Sequence, residues 1–209
     1  MEKYSINKKR ILIRIAASCL GILLLGALLY LHSYNPNSII PHRGLEKTIR
    51  GQIGKTKGEI TPEDCLGVTE LHIIIPSFEF RLGLSDLEGL QYFEDLEVLK
   101  CNERSLTDIS ALGQLYKLRE LNLDYNNISD LTPLSNLNNL EYLWLYRNNV
   151  RDLSPLASLT NLKHLVIGMN PVELIPNGFA PLAELYGLEI GSYADYTIVV
   201  GRDELKYPH

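Results

Sequence analysis

A repeat of 22 residues constrains the fold of this chain more than any other feature of its sequence. Three consecutive blocks align without a gap, at residues 96–117, 118–139 and 140–161. A fourth block at 162–184 is one residue longer, and a partial copy with about six extra residues begins at Val68. A unit this short cannot bury a hydrophobic core alone, so it must stack on its neighbours in a continuous array.

Each block contains the pattern L-x-x-L-x-L-x-x-N, the signature of a leucine-rich repeat. In the third block the leucines are Leu140, Leu143 and Leu145, and their alternation predicts a short strand. The second half of each block has apolar residues three apart, which favours short 3₁₀-like turns over a long helix. The sequence therefore predicts an α/β solenoid, a leucine-rich-repeat horseshoe with a short parallel concave sheet and a 3₁₀ or irregular convex side.

Two sets of polar residues recur with the same spacing. One set consists of asparagines that fall where the chain leaves each strand: Asn126, Asn148 and Asn170. Their amides are expected to satisfy backbone groups that the turn leaves unpaired inside the stack. The other set consists of aspartates that precede the return turns: Asp108, Asp130 and Asp152. Capping of free backbone N–H groups is favoured for them over a ladder of calcium sites.

The unit with its D-L-x-P-L-x-x-L-x-N segment resembles the internalin-type leucine-rich repeats of bacterial surface proteins. Residues 45–73 resemble the cap that precedes such repeats in proteins of Gram-positive bacteria. The resemblance covers residues 45–192 and implies a curved solenoid used for recognition rather than catalysis. The chain has few repeats and ends DELKYPH without a wall-sorting signal, so a role in host-cell invasion is not carried over.

The composition divides the chain into six segments. In order they are a basic cytoplasmic tail at 1–10, a transmembrane signal-anchor at 11–31, a linker at 32–44, a helical amino-terminal cap at 45–67, the leucine-rich repeats at 68–192 and a carboxy-terminal flank at 193–209.

The anchor is predicted from length and charge. Residues 15–31 carry no charge and would form about 25 Å of helix, which approaches a ~30 Å hydrocarbon core once 11–14 are added. Residues 1–14 carry a net charge of +4, which orients the amino terminus toward the cytoplasm and the repeats outward at the cell membrane. A cleaved signal peptide and lipid attachment at Cys19 are the alternatives. No A-x-A-like cleavage site follows the apolar run, and most of that run lies after Cys19.

Charge and motif content argue against nucleic acid, cofactors and catalysis. The net charge is −5, so residues 15–209 carry −9, the wrong sign for binding phosphate groups. The stretch GQIGKTKG lacks the first glycine of a phosphate loop and is better read as a helix end and a turn. His72 and His164 fall four strands apart, about 19 Å, and cannot share a metal ion. Cys65 and Cys101 are expected to be buried thiols.

The outward strand positions of the third block are aromatic. Tyr142, Trp144 and Tyr146 alternate with the core leucines, and Trp144 is the only tryptophan in the chain. Neighbouring strands lie about 4.8 Å apart, so residues 22 positions away should border this row on the concave face. The predicted ligand-binding residues are Asn122, Asp124, Tyr125, Tyr142, Trp144, Tyr146, Arg147, His164 and Val166.

These features predict a membrane-anchored recognition module. A protein ligand is favoured, and a surface glycan or peptidoglycan is the alternative. The aromatic row could instead be a by-product of strand propensity, or be covered by a terminal flank. Other hypotheses are a cytoplasmic regulatory scaffold, similar to leucine-rich-repeat phosphatase subunits, and an enzyme, for which the sequence offers no catalytic set, metal site or cofactor site.

Overall fold

The computed structural model describes residues 35–73, 84–102 and 105–174, together with Ala180 and Leu182. The predicted tail, the anchor at 11–31 and the carboxy-terminal flank at 193–209 lie outside the described residues, as do Cys19 and the end of the predicted repeats at 183–192. Within the described ranges, no helix has the length and apolar character needed to cross a bilayer.

The strands form one parallel sheet in the order of the sequence. They are β1 (Glu70–His72), β2 (Val98–Lys100), β3 (Glu120–Asn122), β4 (Tyr142–Trp144) and β5 (His164–Val166). From β2 onward each strand residue pairs with the residue 22 positions later, so that Leu121 faces Leu143 and Leu143 faces Leu165. The spacing of the repeat in the sequence is therefore the register of the sheet.

The middle residue of each strand points into a hydrophobic core that runs along the whole array. Leu121, Leu143 and Leu165 are fully buried, whereas the residues on either side of each remain half-buried. Cys101 takes the place that a leucine holds in the later repeats, and both it and Cys65 are buried as expected.

Short 3₁₀ helices lie between successive strands, as the three-residue apolar spacing predicts, and one more lies before β1 and another after β5. They span Pro62–Cys65, Leu90–Tyr92, Ser110–Gln114, Thr132–Leu134, Ser154–Leu156 and Pro171–Leu174. The predicted capping by aspartates is confirmed. The carboxylates of Asp108, Asp130 and Asp152 each accept the backbone N–H two residues later, all at 2.8 Å.

A ladder of buried asparagines links the repeats. The side-chain amide of Asn148 donates to the carbonyl oxygen of Leu145 in its own repeat (3.1 Å) and to that of Leu123 in the preceding repeat (2.9 Å). Its Oδ1 accepts the N–H of Ile128 at 3.0 Å. Asn126 and Asn170 make the equivalent bonds, so the predicted role of these amides is confirmed. Because each amide bridges two repeats, it holds the stack together where the backbone leaves the sheet.

The folded part begins earlier than the boundary predicted at residue 45. Helix α1 spans Arg43–Ile53, and the ring nitrogen Nδ1 of His42 accepts the N–H of Leu45 at its start. Ile40, assigned to the linker at 32–44, is fully buried in the core. The chain passes so close to Gly89 (φ 103°) that a Cβ there would lie 2.7 Å from Cγ1 of Ile40. Residues 35–44 of the predicted linker therefore belong to the fold.

Helix α1 packs against the first strand of the sheet. Leu45 and Ile49 are buried in the same core as the repeats. The side-chain amide of Gln52 accepts the N–H of His72 (2.8 Å) and donates to its carbonyl oxygen (2.6 Å), which satisfies backbone groups at the edge of β1. The helix ends before Gly54, whose φ of 72° is left-handed, so GQIGKTKG is indeed a helix end and a turn.

Candidate functional site

The nine predicted ligand-binding residues lie together on and just after strands β3, β4 and β5. Tyr142 and Trp144 flank the buried Leu143 and point to the opposite face of the sheet, which we call the outer face. Trp144 pairs in register with Asn122 on one side and Val166 on the other, both half-buried. The alternation of leucines thus correctly predicted which side chains leave the core.

The aromatic rings of the outer face pack in two groups. Tyr142 stacks on Trp144 with ring centroids 6.1 Å apart and planes 16° apart, and Trp144 lies 5.4 Å from the ring of His164. Tyr125 meets Tyr146 edge-on at 5.3 Å. We refer to these five residues as the aromatic patch. Contacts between rings at these distances stabilise their orientation, so the patch is preformed before any ligand arrives.

A row of three strained residues begins with Tyr125 of the patch and continues along its edge. Tyr125, Arg147 and Met169 precede the three ladder asparagines and have φ values of 57°, 53° and 58°. A side chain in this left-handed region costs of order 1 kcal/mol, and glycine or asparagine would avoid most of that cost. Tyr125 and Met169 nevertheless remain 45% exposed, and the guanidinium carbon of Arg147 lies 5.5 Å from the ring centroid of Tyr125. Met169 follows Arg147 by 22 residues, and this spacing predicts its place at the border of the aromatic row.

Ion pairs run along the start of the strands, beside the patch. Glu141 accepts from both Lys163 (2.7 Å) and Arg119 (3.1 Å), and Arg119 also lies 4.0 Å from Glu97. Hydrogen bonding by Lys163 is the main reason that the pKa of Glu141 is lowered. The basic side chains of these pairs are more than half exposed, so the pairs contribute little to stability. The two carboxylates and the two basic groups cancel in charge, so this border of the patch carries no net charge.

Asp124 differs from these paired carboxylates. Its Oδ1 accepts the backbone N–H of Tyr146 at 2.7 Å, and within the described part of the chain it forms no ion pair. Burial beside the aromatic patch raises its pKa to about 6, despite the opposing effect of that hydrogen bond. Asp124 is therefore a half-buried negative charge at neutral pH without a positive partner among the described side chains.

His164 also lacks a partner for one polar atom. Its Nδ1 is buried and makes no hydrogen bond to any described residue. Burial lowers the pKa of the imidazole, so the ring is neutral at pH 7 and acts as part of the aromatic surface.

Replacing Asp124 with asparagine should reveal the cost of its charge. Asparagine keeps an acceptor for the N–H of Tyr146. Because the pKa is raised, the native protein binds a proton more tightly than the unfolded chain does, so the wild type gains stability as the pH falls from 6 toward 4. After allowance for solvent screening, we expect the variant to be more stable by about 1 kcal/mol at pH 7.5 and the difference to shrink toward pH 4. Urea unfolding at several pH values measures it.

Asp130→Asn is the matched control, because Asp130 lies in the same repeat and also accepts one backbone N–H. Its pKa is lowered, first by the Thr132 hydroxyl, so the wild type should lose rather than gain stability relative to this variant as the pH falls. Parallel pH profiles for the two variants would contradict the assignment of a destabilising charge to Asp124.

The described residues suit binding better than chemistry. Within residues 35–73, 84–102 and 105–174, no group of three or more His, Cys, Asp or Glu side chains lies close enough to hold a metal ion. Burial raises the pKa of the Cys65 thiol to about 11, which makes it a poor nucleophile at neutral pH. The feature that remains is the aromatic patch with its polar border.

Comparison with known proteins identifies the family of the repeats. A family profile described as Leucine Rich repeats (2 copies) matches residues 94–136 and 138–181. No curated protein matches the sequence. Among solved structures, an internalin (inlF) of Listeria monocytogenes is 27% identical with a TM-score of 0.57, and covers 72% of this chain. The chain spans only 48% of that internalin.

A second structure, internalin C2 of Listeria monocytogenes, is 30% identical with a TM-score of 0.50. The match covers 72% of this chain and 73% of internalin C2. The shared 22-residue register, the parallel sheet and these matches agree with the resemblance found in the repeat. The chain belongs to the internalin-like leucine-rich repeat proteins.

Proposed function

We propose that this chain binds a protein ligand through the aromatic patch and that residues 11–31 hold it at the outer surface of the cell membrane. The observation that carries the proposal is the patch itself. It consists of two groups of packed rings on the outer face of a sheet, and the exposed side chains of Arg147 and Met169 border it.

The family supports a recognition role. Leucine-rich repeat proteins serve protein–protein recognition, and internalin-like members are in general binding modules rather than enzymes. Stacked repeats present an extended and usually concave sheet on which partners are bound. The aromatic patch would lie on that concave side, since its side chains leave the sheet opposite the core.

The energetics of the patch suit a binding hot spot. An aromatic side chain can bury 150–250 Å² on binding, and Trp, Tyr and Arg are the residues most enriched among hot spots. The strands are fixed in register and the rings pack on each other, so little side-chain freedom is lost when a partner covers them. A protein ligand is favoured over a glycan because the patch extends along the sheet instead of enclosing a small cavity.

The membrane part of the proposal rests on the sequence. Residues 15–31 are uncharged and follow a segment with a net charge of +4, which favours a cytoplasmic amino terminus and outward repeats. An outward position gives the patch access to proteins beyond the cell.

Trp144→Ala should abolish most of the binding while leaving the fold intact. The Trp144 side chain is half-buried against Tyr142 and His164 rather than inserted in the core, so its loss removes contact area on the ligand side. We expect the affinity for the ligand to fall by about 2 kcal/mol or more, roughly thirtyfold, with little change in the unfolding midpoint. The ligand is first captured with the purified full chain and identified, and its binding to intact cells that display each variant is then measured.

Tyr116→Ala is the matched control, because Tyr116 is 55% exposed and lies outside the patch. Cells with this variant should bind the ligand as the wild type does. Protease added to intact wild-type cells should remove the binding, and binding that survives would contradict an outward orientation. Equal binding by the Trp144→Ala and wild-type cells would overturn the assignment of the patch.

A further inference from the structure

Most acidic groups near the sheet have a basic partner among the described side chains, but Asp124 and Glu120 of the same repeat do not. Glu141 has Lys163 and Arg119, Asp95 has Lys117 at 2.6 Å, and Glu70 has the ring of His72 at 2.7 Å. Asp124 is more buried than most surface carboxylates, yet within the described chain it has one neutral donor and no cation.

Only one of the two carboxylate oxygens of Asp124 accepts a hydrogen bond from a described residue. Oδ1 accepts the N–H of Tyr146 at 2.7 Å, whereas Oδ2 has no hydrogen bond to a described residue and is not sealed from solvent. The oxygen that remains free is therefore available to a group that approaches the outer face of the sheet. A half-buried charge with an unused acceptor costs folding free energy, and burial raises the pKa of this carboxyl to about 6.

The backbone donor to Asp124 belongs to a residue of the aromatic patch. The bond between Oδ1 and the N–H of Tyr146 fixes the carboxylate next to the backbone of Tyr146, whose ring meets that of Tyr125 at 5.3 Å. Aromatic faces attract cations that lie within about 6 Å of the ring centroid. Arg147 already places its guanidinium 5.5 Å from the ring of Tyr125, so a ring of this cluster does bind a cation of this kind.

We propose that Asp124 and Tyr146 form a cation subsite, in which a lysine or arginine side chain of the protein ligand pairs with Oδ2 and packs against the tyrosine ring. The proposal deepens the function proposed above and rests on it, because the cation is taken to belong to the protein that covers the aromatic patch.

The charge of the surrounding face favours a basic ligand. The three consecutive outward positions of β3 and its extension are Glu120, Asn122 and Asp124, whose two carboxylates outnumber the one lysine, Lys100, that pairs in register with Asn122. Residues 68–192, the predicted repeats, carry 17 acidic and 8 basic side chains, a net charge of −9, so their field also attracts a basic segment. An apolar or acidic side chain at the same place would remove water from Oδ2 without replacing its hydrogen bonds, and this is unfavourable.

The subsite can be tested without knowing the ligand, by using N-acetyl-arginine amide as the probe. N-acetyl-citrulline amide has nearly the same shape and no charge, so it serves as the neutral control. Binding to the full chain in detergent micelles is followed by the amide chemical shift of Tyr146, the donor to Asp124, and by the fluorescence of Trp144, the only tryptophan. We expect saturable binding of the arginine probe and at least tenfold weaker binding of the citrulline probe.

Two asparagine variants localise the binding. Asp124→Asn keeps an acceptor for Tyr146 and removes the charge, so it should weaken the arginine probe at least tenfold. Asp130→Asn makes the same substitution on the return side of the same repeat and should leave the affinity unchanged. Equal affinity of the wild type and Asp124→Asn, or equal binding of the arginine and citrulline probes, overturns the subsite.

The outcomes for the subsite and for the proposed function are distinguishable. A captured protein whose binding requires Trp144 but is insensitive to Asp124→Asn supports the proposed function and overturns the subsite. Binding of the arginine probe that depends on Asp124, with a captured protein that is indifferent to Trp144→Ala, supports the subsite and overturns the role of the patch in protein recognition.

Discussion

Replacing Asn148 with alanine is expected to lower the free energy of unfolding by about 3–4 kcal/mol, the combined effect of lost hydrogen bonds and one orphaned donor. The N–H of Ile128 loses its acceptor inside the stack, which costs about 1–3 kcal/mol. The carbonyl oxygens of Leu123 and Leu145 each lose one of two side-chain donors, because Asn126 and Asn170 still reach them. Urea unfolding of the full chain, followed by circular dichroism, measures the change.

Asn149→Ala is a matched control at the adjacent position. Asn149 is exposed, and its side chain makes one longer bond, 3.3 Å, to the carbonyl oxygen of Asn127. This variant should lose less than about 0.5 kcal/mol. A comparable loss for both variants would show that the ladder amide is no more important than a surface amide, in contradiction to the geometry of the stack.

Leu143→Ala should destabilise the protein by about 3–4 kcal/mol, within the range of 2–5 found for large-to-small changes in cores. Leu143 is fully buried in the middle of β4 and lies between Leu121 and Leu165 of the adjacent strands. Both neighbours belong to hydrogen-bonded strands and cannot move far enough to fill the cavity. Thermal and urea unfolding should both show the loss, and the effect should extend to neighbouring repeats because each repeat is supported only by its neighbours.

Two further substitutions serve as controls for the loss of stability expected from Leu143→Ala. Leu143→Met nearly conserves the volume and should cost less than about 1.5 kcal/mol. Leu66→Ala changes a leucine that is 59% exposed and should cost less than about 0.5 kcal/mol. If Leu143→Ala were as mild as Leu66→Ala, the core of the third repeat would have to be loosely packed.

The repeat made most of the sheet predictable. A spacing of 22 residues predicts that position 121 faces 143 and that 143 faces 165, and the structure has this register. Because strand side chains alternate, the same spacing also predicts that Tyr142 and Trp144 leave the core. The positions of the ladder asparagines and capping aspartates follow the same logic, since identical local sequences must turn at identical places.

Features that depend on contacts between distant segments could not be predicted in this way. The fold includes residues before helix α1 because Ile40 reaches the core beside Gly89, a contact that neither local sequence indicates. The left-handed conformation of Tyr125 opposes the preference of that residue and is imposed by the adjacent strand and ladder. The sequence placed Asp124 on the outer face, but its partial burial depends on the surrounding side chains and their packing.

The unbroken register has a further consequence for the size of a docking surface. Because consecutive strands pair residue for residue at intervals of 22, duplicating one block would extend the sheet by one strand, about 4.8 Å, and add one row of outward side chains. The existing rows would keep their neighbours except at the point of insertion. The length of the docking surface and the side chains that it presents can therefore change independently in this architecture. Copy number sets how long a partner surface can be covered, and three substitutions within a row can change what that row contacts without altering the leucines beneath it.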